Sequence, residues 1–183
     1  MQSQSDRELL NQIRDGSGQA FTVLHNKYRR RLLAYCYRLL QNRTAAEDVV
    51  QVSFQKAYES LSTLDNPELF FYWLFSIARN EVYGHIRRTR RNGTVYSIEE
   101  EDVFMEEESP HDQVVREETM EIVEHFLNQL KVEYREVLVL RQYDKLSYAE
   151  IAAITGDTVS SVESRLFKAR KALAKQLAPY FEM

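Results

Sequence analysis

Between Phe21 and Leu39 the apolar residues recur at steps of three and four: Phe21, Leu24, Tyr28, Leu32, Tyr35 and Leu39. That period places all six on one face of a helix, and a helix with such a stripe must bury it against other helices. No alternating run of β-branched residues is long enough to suggest a sheet, and only five glycines and three prolines punctuate the 183 residues. The expected class is all-α. Charge then divides the chain: residues 1–92 carry a net +5, residues 93–118 a net −9, and residues 119–183 balance. The middle segment, Gly93 to Pro110 and onward, lacks helical periodicity and reads as a flexible acidic linker. Two small helical domains, 1–92 and 119–183, joined by the linker 93–118, are therefore expected, each long enough for its own core.

The C-terminal domain carries the clearest local signals. Ser147-Tyr-Ala-Glu150 spells a capping box, Ile151 and Ala152 face inward, and Gly156 permits the left-handed residue that ends a helix. Thr158 is a candidate N-cap for a second helix. On that helix Val162, Leu166, Ala169, Leu173 and Leu177 form a narrow apolar stripe. Ser161, Ser164, Lys168, Lys171 and Lys175 lie opposite, with Phe167 at the edge. Helix, glycine turn and basic helix is the order that sets a helix in the DNA major groove. Basic residues alone would fit a solvated lysine face; the capped helix and glycine turn before them favour DNA, in a chain whose overall pI is only 5.7.

The N-terminal domain opens with a helix from Asp6 to Arg14, followed by the long amphipathic one with Arg29, Arg30 and Arg31 on its other sides. A third helix is expected from Thr44 as N-cap, with Glu47 three residues on, to Tyr58. Leu61 to Pro67 reads as a loop, with Pro67 in the first turn of a fourth helix. That helix starts with Phe70, Phe71, Tyr72, Trp73 and Phe75 and ends in Arg87, Arg88, Arg90 and Arg91. Rings beside a loop, with arginines further along, suit single-stranded nucleic acid, whose bases stack while guanidinium groups follow the phosphates. Trp73, Leu74 and Ile77 read more simply as core. The arginine cluster repels itself, and an anionic partner relieves that cost.

Catalytic and metal chemistry find no support. Glu108-Ser-Pro-His111 matches a di-metal Glu-x-x-His spelling once, but Pro110 breaks the helix and no second copy exists. His25, His85 and His125 share no spacing. No enzyme activity and no cofactor are expected. The single cysteine, Cys36, cannot pair within the chain, which fits a reducing cytoplasm. No signal peptide or membrane-length apolar run is visible, so a cytoplasmic protein without membrane insertion is expected.

Three blocks carry a likeness to a known family: Ala46-Glu-Asp-Val-Val-Gln51; Trp73-Leu-Phe-Ser-Ile-Ala-Arg-Asn80 with Arg87-Arg88 following; and Leu146-Ser-Tyr-Ala-Glu-Ile-Ala with Val162-Glu-Ser-Arg-Leu-Phe-Lys-Ala-Arg170. In this order and spacing they resemble the extracytoplasmic-function group of sigma-70 family factors, over nearly the whole chain except the linker. The resemblance implies two helical domains, region 2 and region 4, that bind core RNA polymerase and direct it to promoter DNA. It implies that Glu47, Asp48, Gln51 and Phe54 dock on the polymerase clamp. It implies that Leu64, Asn66, Phe70, Trp73, Arg79 and Asn80 open and read the −10 element as a melted single strand, with Arg87, Arg88, Arg90 and Arg91 on phosphates. Region 4 would read duplex −35 DNA, with Arg141 and Arg165 near the backbone, Ser164, Phe167 and Lys168 nearest the bases, and Ser161 and Lys171 on the same face. It further implies an anti-sigma factor as partner, and a linker threading toward the RNA exit path.

Three positions depart from the family's pattern. Gly84 stands where an aspartate is usual, inside a helix, at about 1 kcal/mol relative to alanine. Glu163 replaces a basic residue, and Lys168 replaces an arginine, giving up the rigid two-pronged contact to guanine. Two other readings remain. A two-domain transcription regulator could use the same helix-turn-helix, though its first half would need a dimer surface or ligand site. A pure interaction protein could place the acidic segment in a basic groove, leaving both DNA-facing helices unexplained.

Overall fold

The computed structural model describes residues 5–92 and 122–181, which contain α-helix and 3-10 helix and no strand. The chain divides into two compact units. The acidic segment, and with it the expected linker bounds and the Glu108–His111 spelling, lies outside the described residues.

The first unit is a four-helix arrangement. Helix α1 (Asp6–Arg14) starts at Ser5, whose hydroxyl accepts from the Glu8 N–H at 3.3 Å while the Glu8 carboxylate accepts from the Ser5 N–H at 3.1 Å. This reciprocal cap meets two donors that a helix start would leave unpaired. Helix α2 (Gly18–Leu40) runs 23 residues. Of its predicted stripe, Leu24, Tyr28, Leu32, Tyr35 and Leu39 are buried and Phe21 is half-buried. Helix α2 packs on α1, on α3 (Arg43–Glu59) and on α4 (Phe70–Arg91), so it is the spine of the unit. Leu9, Leu10, Leu74, Phe75 and Val82 close the core around it. Each such side chain contributes roughly 1.5–3 kcal/mol on burial.

Two boundaries differ from the expectation. Helix α3 is capped by Asn42, not Thr44: the Asn42 side chain accepts from the Ala45 N–H at 2.8 Å. Gln41 takes the left-handed conformation (φ 54°) that ends α2, so Asn42 is the first extended residue after it and the cap falls there. Between α3 and α4 the chain makes two 3-10 turns, Leu61–Thr63 and Pro67–Leu69. Pro67 therefore opens a 3-10 turn capped by Asn66 rather than α4 itself.

In the second unit, residues 122–129 form α5, followed by α6 (Val132–Gln142), α7 (Tyr148–Thr155) and α8 (Val159–Phe181). Arg135 on α6 donates to the carbonyls of Asn128 and Leu130, fixing the end of α5. Helix α6 packs along α8, and Val137, Leu140, Ile151, Val162, Leu166 and Ala169 are fully buried. Among the described residues, no helix is long and apolar enough to cross a membrane.

Candidate nucleic-acid interface

The turn between α7 and α8 is built from the residues that the sequence singled out. Ser147 and Glu150 cap α7 reciprocally, at 3.3 Å and 2.7 Å. Gly156 adopts φ +74°, which L side chains rarely take, and the Thr158 hydroxyl accepts from the Ser161 N–H at 3.2 Å to start α8. The buried stripe of Val162, Leu166 and Ala169 fixes the rotation of α8, while Leu173 and Leu177 are half-buried. Ser164, Phe167, Lys168 and Lys171 then face outward, and Ser161 is half-exposed. Phe167 is 68% exposed, an aromatic ring that packing does not account for.

The two arginines expected near the DNA backbone have internal work. Arg165 pairs with Asp157 at 2.7 Å, tying α8 to the turn before it. Arg141 donates to the Leu146 carbonyl at 2.8 Å, and its guanidinium lies 5.4 Å from the Tyr148 ring centre. Both side chains brace the helix-turn-helix.

In the first unit a line of half-buried and exposed residues runs along α4. Trp73, Asn80, Gly84, Arg87 and Arg91 recur at helical spacing, with exposed Leu69 at the head of the helix, while Leu74, Phe75, Ala78 and Val82 face the core. The stripe runs from apolar and aromatic, through an amide, to basic. Leu69 is 49% exposed and had no sequence signal, because the helix start expected at Pro67 put it inside the first turn. Arg79 leans over the Tyr83 ring at 4.6 Å. Helix α4 continues through Gly84, where an added Cβ would lie 3.3 Å from the Arg88 guanidinium.

Three expected contact residues prove to be core. Leu64 and Phe70 are 5% and 1% exposed, so their side chains lie beneath the loop surface. Phe70 packs at 5.6 Å from Tyr28 and 5.9 Å from Trp73. Phe54 is 3% exposed and sits 4.4 Å from the His25 ring and 6.4 Å from Phe21, inside the α2–α3 interface. The family resemblance implied that Phe54 lies on the docking face, but large apolar rings turn inward where a neighbouring helix can cover them. Trp73 is half-buried, between the core and base-contact readings.

The outer face of α3 presents Glu47, Asp48 and Gln51, with Val52 and Gln55 beside them. Glu47 pairs with Arg43 at 3.3 Å. Across from this helix, His85 on α4 has its pKa lowered by burial and by Arg88, an effect that Asp48 opposes. Lys56 and Glu81, 2.5 Å apart, join the same two helices.

Residues 24–92 match the family model for sigma-70 region 2, and residues 120–173 the model for sigma-70 region 4. The RNA polymerase sigma-H factor of Pseudomonas aeruginosa is 32% identical over 184 residues, covering 96% of this chain and 95% of that one. The ECF RNA polymerase sigma factor SigW of Bacillus subtilis is 30% identical over 179 residues, covering 93% and 96%. Among solved structures, CnrH in complex with the cytosolic domain of CnrY is similar at a TM-score of 0.70 and 27% identity, over 96% of this chain and 99% of that one. The sigma factor RpoE of Bartonella quintana, in complex with the anti-sigma factor NepR, reaches 0.68 at 27% identity, over 86% and 96%.

Proposed function

The chain belongs to the sigma-70 family of RNA polymerase sigma factors, in its extracytoplasmic-function group, and from that premise we propose how its two units divide the work. It binds core RNA polymerase and directs it to promoters, as an initiation factor and not as an enzyme. Helix α8 enters the major groove at −35, with Ser164, Phe167 and Lys168 at the base edges and Lys171 toward phosphate. The α4 stripe receives the melted −10 strand: Leu69 and Trp73 offer apolar surface to an extruded base, Asn80 offers an amide, and Arg87, Arg88, Arg90 and Arg91 hold phosphates. The exposed Glu47, Asp48 and Gln51 face of α3 docks on polymerase. A domain division at 1–92, 93–118 and 119–183 goes with this assignment.

One observation supports the reading above the others: the exposed Phe167 ring, on a helix whose rotation is fixed by a buried stripe, beside two outward lysines. An aromatic or methyl-bearing side chain meets thymine methyl groups in the major groove, and lysine supplies donors to purine edges. The protein works in the cytoplasm, where core polymerase is. An anti-sigma factor is its regulatory partner, a reading supported by the similar fold of RpoE, whose structure is in complex with the anti-sigma factor NepR.

Run-off transcription with purified core polymerase over a promoter library tests the function. Addition of this chain should create start sites that core polymerase alone does not use. If the chain bound polymerase yet selected no promoters, the assignment would fail. A repressor-like regulator would instead footprint duplex DNA without polymerase.

A further inference from the structure

Helix α1 carries none of the residues assigned above to DNA or polymerase, yet it grips the segment between α3 and α4 at two points and braces the head of α4 through a third contact. Arg14, in its last turn, donates from Nη2 to the backbone carbonyl of Leu64 at 2.7 Å. Arg7 donates from Nε to Glu68, in the second 3-10 turn, at 3.2 Å. Asp6 accepts from the Tyr28 hydroxyl, and the Tyr28 ring lies 5.6 Å and 5.9 Å from Phe70 and Phe71 at the head of α4.

The three points differ in weight. The Arg7–Glu68 pair is well exposed and contributes little. The Asp6–Tyr28 bond holds α1 to α2 and reaches the loop only through rings. Arg14 alone fastens the loop backbone directly. Leu64 ends the first 3-10 turn in an extended conformation (φ −83°, ψ 100°) while its side chain is buried. A carbonyl leaving a helical turn in a part-buried place needs a donor, and a charged donor makes the stronger bond.

We propose that Arg14 is a positioning residue for promoter opening. By holding the Leu64 carbonyl it sets the shape of residues 61–69 before DNA arrives, so an extruded −10 base meets a preformed surface. Ordering that loop at the moment of capture would otherwise weaken binding. The inference rests on the −10 reading of this segment.

The test uses polymerase holoenzyme assembled with the full chain. Arg14→Met keeps the apolar stem but removes every donor, Arg14→Lys keeps one cationic donor, and a double variant Asn66→Ala/Leu69→Ala alters the exposed loop tip. Affinity for a single-stranded −10 oligonucleotide is measured beside affinity of the chain for core polymerase. Arg14→Met should bind the oligonucleotide about tenfold more weakly with core affinity unchanged, and Arg14→Lys should recover part of the loss. Wild-type oligonucleotide binding by Arg14→Met, with a defective loop-tip variant, would overturn the role of Arg14 and leave the −10 reading standing. Equal loss of oligonucleotide and core binding by Arg14→Met would also overturn it, as damage to the whole unit. Should the loop-tip variant bind normally, the −10 reading itself fails and takes the proposal with it.

Discussion

Phe167 and Lys168 are adjacent in sequence and both outward, so their effects on −35 DNA can be separated from folding. Removing either touches no buried contact. Lys168→Ala is expected to weaken −35 binding by holoenzyme about tenfold, with affinity for core polymerase unchanged; an equal loss of both would count against the assignment. Lys168→Arg should sharpen discrimination at any guanine it meets, because a guanidinium contacts O6 and N7 together. His85 makes a different prediction. Burial and Arg88 favour its neutral form in the fold, so its pKa lies below the ordinary 6.5. The unfolded chain then takes up a proton near 6.5 before the folded chain does, and stability falls as pH drops through that value. Denaturant midpoints at two pH values on either side of it should differ less for His85→Gln than for the natural chain.

At the scale of elements, the helix-turn-helix was legible because each of its signals is local. A capping box, a left-handed glycine and an N-cap all act within four residues, and the structure contains all three. Gly156 gives the cleanest test. Nothing lies within 4 Å of an added Cβ, so Gly156→Ala costs only the conformational strain of φ +74°, about 1 kcal/mol. A larger drop in thermal stability, or none, would mean the turn is held by something other than the glycine's freedom. Local reasoning failed at the start of α3: Thr44 was the expected cap, but the left-handed Gln41 that ends α2 sets the cap at Asn42. Leu61 to Pro67 was legible as a loop, but the two 3-10 turns at Leu61–Thr63 and Pro67–Leu69, and the tie to α1, were not.

At the scale of the molecule, neither unit need bind promoter tightly alone. Two weak sites on one chain gain from effective concentration once polymerase holds them at promoter spacing. Cutting the chain within 93–118, through an inserted protease site, should lower promoter affinity of the holoenzyme at least about a hundredfold while each half still folds. Full retention after cleavage would show that polymerase, not the covalent link, supplies the whole gain. The net charge of −4 works in the same direction: free chain is a poor match for phosphate, and only its local basic faces attract DNA.

The amino-acid sequence by itself determined the helical class, the charge division and the caps and turn of the helix-turn-helix, because these follow from spacing and short-range hydrogen bonding. It also carried the outward face of α8, since one apolar stripe leaves one opposite side. Only the tertiary structure decided which rings serve the core and which meet solvent. Phe54, Leu64 and Phe70 are buried and Leu69 and Phe167 exposed, although nothing in their residue types separates them. Burial depends on which neighbouring helix arrives to cover a side chain, and the contact of Arg14 with a carbonyl fifty residues away arises in the same manner. Such contacts are made by packing, and no local pattern encodes them.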